Sequence, residues 1–183
     1  MTTNKINNER NTGKQFYKKK KYKQAYEIFL RLAELGDIDS QVLVGNMLYN
    51  GQGVVSDMDK AYNWFKIASD ANNAEALYYL AMHYLEDLDE IKIGKKYLSK
   101  AVNLHYSQAI TTMAYYHEFG DHNYEKDEIE AINLYKKACI LKNKDACKKL
   151  FILMKRKNML NELQKFIQGQ IGYFKYLKII LAN

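Results

Sequence analysis

Residues 61–76 read AYNWFKIASDANNAEA. Ala61, Trp64, Phe65 and Ala68 fall at i, i+3, i+4 and i+7, the spacing of one apolar stripe on a helix. Fifteen residues after Ala61 stands a second small residue, Ala76, and Leu80, Ala81 and Tyr84 continue a helical stripe from it. The same pair of small anchors returns as Ala25 with Ser40, Gly94 with Ala109, and Ala131 with Ala146. Successive anchors lie 36, 33 and 37 residues apart, yet the fifteen-residue offset within each pair never changes. A fixed offset implies a rigid helix–turn–helix. The variable remainder implies a loop that tolerates changes of length.

The stripes themselves repeat. Ala25, Ile28, Phe29 and Leu32 match Ala131, Leu134, Tyr135 and Ala138, and Gly94, Tyr97, Leu98 and Ala101 form a further copy. Small residues at the closest crossings let helix backbones approach. One such pair cannot bury its own apolar face, so the pairs must stack. Composition agrees: 183 residues without a proline, where about nine would be usual, and with only 9 glycines. That excludes collagen-like, proline-rich and turn-dense β architectures and favours long helices. The expected fold is all-α, a right-handed solenoid of four to five helix–turn–helix repeats with ten or eleven helices. Its expected parts are a frayed 1–7, a repeat array over 8–156 and a capping segment over 157–183. The cap is drawn from Leu160, Leu163, Phe166, Ile167, Ile171, Phe174, Leu177 and Leu181 at helical intervals.

The stretch Val44-Gly45, Leu48-Tyr49, Gly51-Gln52-Gly53-Val54, Asp57, Lys60-Ala61, Trp64-Phe65, Ala68 and Asn72 resembles the Sel-one-like repeat, a relative of the tetratricopeptide repeat. The match is full in this unit and partial in the next two. Glu86-Asp87-Leu88-Asp89 stands where the family has its glycine loop, and the fourth unit keeps only Gly120. The resemblance implies an α-solenoid used for protein–protein contact. Short bacterial members of the family include accessory factors of secretion or host interaction and immunity partners. In such stacks the first helix of each pair lines the concave side. Counting from the small anchors, this implies a contiguous partner-binding patch of Tyr49, Tyr78, Met82, Leu85, Tyr115 and Phe119. Basic rims of Lys14 and Lys18 at one end and Lys148 and Lys155 at the other would flank it. The implied partner is another protein or peptide segment, acidic or amphipathic.

The net charge of +7 is concentrated at the two ends: +4 over residues 1–50, −2 over 51–100, 0 over 101–150 and +5 over 151–183. A nucleic-acid binder would show a more continuous basic stripe, so nucleic-acid binding through basic ends and the 16 tyrosines is the alternative reading. The run Lys18–Lys21 is expected to be a solvated face. Met1–Arg10 is polar with no apolar run behind it, and Ile171–Leu181 is too short to span a bilayer and carries Lys175 and Lys178. The expected address is therefore the cytoplasm, with secretion lacking a leader left open.

Little in the sequence points to catalysis, and no enzyme, cofactor or metal is expected. Gly51-Gln52-Gly53 lacks both a preceding strand and a following Gly-Lys-Ser/Thr, and is expected to be a repeat turn. His117, Glu118, Asp121 and His122 lack the spacing of a zinc motif and are expected to be loop polarity. His83 and His117 take similar places in neighbouring units and are expected to be packed surface histidines. Cys139 and Cys147 are spaced as in the cysteine-rich secreted branch of the same family, where a disulfide joins the two helices of a unit. The resemblance implies one bridge. The cytoplasmic address instead favours two half-buried thiols.

Overall fold

The computed structural model describes residues 3–169. These fall into two compact units divided between Leu104 and His105, and each is taken by itself. The first holds α1 (Thr3–Lys18), α2 (Tyr22–Glu34), α3 (Ile38–Asn50), α4 (Met58–Asp70), α5 (Ala74–Met82) and α6 (Ile91–Asn103). α5 runs into a π-turn at His83–Asp87. The second holds α7 (Ser107–Phe119), α8 (Glu128–Ile140), α9 (Lys144–Arg156) and α10 (Leu160–Gln168). Within each unit every helix packs on the next in chain order, so Ala61 on α4 and Ala76 on α5 lie on adjacent helices as expected. The described residues contain helices and no strands.

The constant offset has a local cause. The turns α2–α3, α4–α5, α6–α7 and α8–α9 are each three residues long. Their middle residues, Gly36, Asn72, His105 and Lys142, all have positive φ, between 56° and 85°. A left-handed residue after a helix satisfies its last carbonyls and reverses the chain. In three of the four turns the side chain of the residue after it then caps the next helix; Tyr106 does not. The Asp37 carboxylate accepts from the Ser40 N–H, Asn73 Oδ1 from those of Glu75 and Ala76, and Asn143 Oδ1 from that of Ala146. Each cap is worth about 1 kcal/mol. Three of the small anchors thus sit three residues inside a capped helix.

Ala25, Phe29, Ala61 and Phe65 are wholly buried, and the aromatic ring of each second helix lies on a gap in the first. A Cβ placed on Gly13 would stand 2.5 Å from Phe29 Cε1, and one on Gly45 would stand 2.6 Å from Phe65 Cε1. The missing side chain is what lets the ring in. Gly53 has φ +76°, and a Cβ there would meet the Tyr22 carbonyl carbon at 2.4 Å. Gly51-Gln52-Gly53 is therefore a turn laid on the backbone at the start of α2, as expected.

One expectation changes, and the segment without its glycine loop takes a form the sequence did not specify. Residues 3–7, expected to fray, are helical: Ile6 is half-buried, Arg10 pairs with Asp37 at 2.7 Å and Glu9 with Arg31 at 2.7 Å. In the third repeat the missing glycine loop is replaced by the π-turn, after which three residues suffice to reach α6. Of the expected cap, α10 packs on α9 and buries Leu163. Ile171, Phe174, Leu177 and Leu181 lie outside the described residues.

Candidate functional site

In the first unit, Tyr49, Tyr78 and Met82 are half-buried on α3 and α5. Tyr49 is held in an aromatic cluster, its ring 6.2 Å from that of Tyr62 and 6.0 Å from that of Tyr79, which stacks at 4.4 Å on Phe65. Burial, with Glu75 and neighbouring tyrosines contributing, pushes the Tyr79 hydroxyl up to about 12. Leu85 does not join the patch. It is 2% exposed, and its Cγ would stand 2.5 Å from a Cβ on Gly94. It lies nine residues after its anchor Ala76, and Glu118, nine after Ala109 on the regular helix α7, is buried as well. Lys14 and Lys18 are exposed on α1, and Lys19, Lys20 and Lys21 are exposed beside them.

The π-turn assembles a group that the sequence reading missed. Tyr62 Oη donates to Asp87 Oδ2 at 2.7 Å, and His83 Nδ1 lies 2.9 Å from the same oxygen. The His83 ring stacks on Tyr62 at 3.6 Å. Hydrogen bonds from His83 and then Tyr62 hold the Asp87 carboxyl below its usual range. Burial and Asp87 push the Tyr62 hydroxyl up. The group pins the π-turn to α4. Its only legible trace is the i,i+4 spacing of His83 and Asp87.

In the second unit, Tyr115 and Phe119 are 37% and 53% exposed, with ring centroids 4.7 Å apart. Lys148 and Lys155 are exposed on α9. The histidine–acid cluster disperses instead of converging. Glu118 is buried; Tyr135 Oη donates to it at 3.0 Å and Arg156 pairs with it at 3.2 Å. Arg156 also reaches Glu128 at 2.9 Å, and Lys157 pairs with Glu128. His117 Nδ1 faces the Glu125 carbonyl, and the His122 ring lies 4.5 Å from Tyr116. Among the described residues no three His, Cys, Asp or Glu side chains are grouped to hold a metal ion.

Cys139 and Cys147 form a disulfide, with their Cα atoms 4.8 Å apart. This corrects the expectation of free thiols. The three-residue turn that fixes the repeat offset also brings α8 and α9 close enough to bridge. Among the described residues no helix is long and apolar enough to cross a membrane.

The sequence profile of the Sel1 repeat matches four consecutive stretches, residues 11–37, 38–73, 74–106 and 107–143. Among solved structures, a Sel1 repeat protein from Oxalobacter formigenes matches with a TM-score of 0.71 and 25% identity, over 88% of this chain and 67% of its own. The antigen c5321, described as a protective antigen present in uropathogenic Escherichia coli strains and displaying an SLR fold, also matches with a TM-score of 0.71. There the identity is 18% over 82% of this chain, and the likeness is one of fold alone. This chain spans about a third of that protein, 34%. No curated protein matches the sequence.

Proposed function

The chain belongs to the Sel1 repeat family, and from that premise we propose that it is a non-enzymatic scaffold holding one protein partner on the first helices of its repeats. Proteins of this family are generally protein–protein interaction scaffolds. The observation that carries the reading here is the exposure of Tyr115 and Phe119, side by side on one such helix. Aromatic side chains of this kind are enriched among residues that dominate binding energy. Tyr49, Tyr78 and Met82 are the corresponding contacts proposed for the first unit.

Changing Tyr78 and Tyr115 to alanine, singly and together, tests the reading against whatever co-purifies from the native host. Unchanged helicity and melting with binding weakened by about 2 kcal/mol or more is the expected result. A collapse of melting places the pair in the core and refutes the assignment. The exposed lysines from Lys18 to Lys21 favour nucleic acid as a second reading. Such binding falls steeply with added salt, whereas contact through aromatic side chains resists it.

The disulfide supports an oxidising compartment over the cytoplasm, because disulfides persist where thiols are not kept reduced. Alkylation and intact-mass analysis of protein taken from its native compartment tests this. Two alkylated thiols would restore the cytoplasmic address.

A further inference from the structure

We propose that the face shared by α7 and α9 in the second unit is a docking site for an acidic, amphipathic peptide segment of a partner protein. The proposal rests on the scaffold reading above and assigns that scaffold a ligand chemistry. Two contacts set the two helices side by side: Lys149 Nζ lies 5.0 Å from the centroid of the Tyr115 ring, and Arg156 pairs with Glu118. Lys149 and Arg156 are two helical turns apart, so they lie on one face of α9. Ile152 falls between them, three residues from one and four from the other, which places it beside Tyr115 and Phe119. It is 62% exposed. A single exposed isoleucine needs no explanation, but an isoleucine and two aromatic rings on one face make a patch.

The charge around this patch selects the partner. α9 carries five basic residues and one acidic residue, Asp145. Glu118 and Glu128 are already matched by Arg156 and Lys157, so Lys148, Lys149 and Lys155 leave the face positive. A second copy of the chain would bring the same lysines against themselves. The segment Ile171–Leu181, with Lys175 and Lys178 and no acid, would do likewise. Like charges across an interface oppose association, and opposite charges speed it. Nucleic acid suits the charge but not the surface. The Lys149 ammonium covers the Tyr115 ring face on which a base would stack, and Ile152 offers no π-surface. An acidic segment with apolar residues one turn apart meets both requirements. The frame is also preorganised: Glu118 ties α7 to α8 through Tyr135 and to α9 through Arg156, and the disulfide joins α8 to α9. Little ordering is therefore left for binding to supply.

The test is selection of peptides from a random display library on the full-length, oxidised protein. Enriched peptides are expected to combine acidic with aliphatic or aromatic residues. Their affinity should fall at least about tenfold on the Lys148→Glu, Lys155→Glu double variant and on Ile152→Ala, with melting unchanged. Should Ile152→Ala lower the melting temperature, the exposed lysine variant decides. Peptides without an acidic excess, or acidic peptides indifferent to the α9 variants, overturn the proposal. If those peptides are instead weakened by Tyr78→Ala, the scaffold reading survives and this site does not. No enrichment at all counts against both. A single-stranded oligonucleotide that binds in place of the peptides and is weakened by the same lysine variant makes the face a nucleic-acid site.

Discussion

Four residues with left-handed backbone, Gly36, Asn72, His105 and Lys142, close the four short turns, and only the first announces itself in the sequence. Glycine takes positive φ freely, while other residues pay about 1–2 kcal/mol to do so. Asn72 is a known exception to that penalty; His105 and Lys142 accept it because the following residue must stand at the start of the next helix. The turns were legible as a spacing and illegible as residues. Gly45 is the reverse case, since its motif context is plain but its physical duty appears only in three dimensions. The Phe65 ring lies where a Cβ on Gly45 would go, at 2.6 Å, and that ring is wholly buried and cannot swing away. Gly45→Ala should therefore destabilise the first unit by about 1–3 kcal/mol, the usual cost of overpacking, despite alanine's better helix propensity. A urea titration measures it. A neutral or stabilised variant would mean that the α3–α4 crossing can open without loss.

At the scale of elements, helix periodicity found each described repeat helix because each buries one stripe of small and larger apolar residues. What it could not find was a change of helical type. A π-turn carries no sequence signature of its own, and counting from the small anchors put Leu85 with Tyr78 and Met82 without showing that α6 packs against it. The side chain lies instead against Gly94, and the real consequence of the missing glycine loop is the Tyr62–His83–Asp87 group on α4 and the π-turn. Glu118 failed for a related reason. Position on α7 placed it beside Phe119 and among possible metal ligands, but its two oxygens are taken by Tyr135 and Arg156, which lie 17 and 38 residues away in sequence. Burial of a carboxylate is tolerable only with such partners. Long-range partners are what a single sequence hides. The exposure of Tyr115 and Phe119, by contrast, was legible, because it needs only the helix period and the identity of the first helix in each pair.

Over the whole molecule the unusual resource is tyrosine, 16 in 183 residues. Among the described residues Tyr116 and Tyr135 are buried and most of the others half-buried, and six hydroxyls are pushed up. Burial is the largest cause at Tyr26, Tyr62, Tyr79, Tyr97, Tyr124 and Tyr135, and nearby carboxylates add to it at Tyr62, Tyr79 and Tyr135 among others. These shifts tie stability to alkaline pH. Below the ordinary tyrosine value of about 10, the hydroxyls are neutral in folded and unfolded chains alike, and their contribution to stability is fully present. Above it the unfolded chain releases protons that the folded chain keeps, so stability falls as pH rises toward the raised values. An alkaline titration followed by tyrosinate absorbance and helicity should therefore show two phases. The first phase leaves helicity intact, and in the second the raised interior hydroxyls ionise together with loss of helix. Tyr79→Phe removes one of these hydroxyls, pushed up to about 12, and should move the second phase to higher pH. A single smooth ionisation with helicity preserved throughout would show that the rings are not held as interior groups.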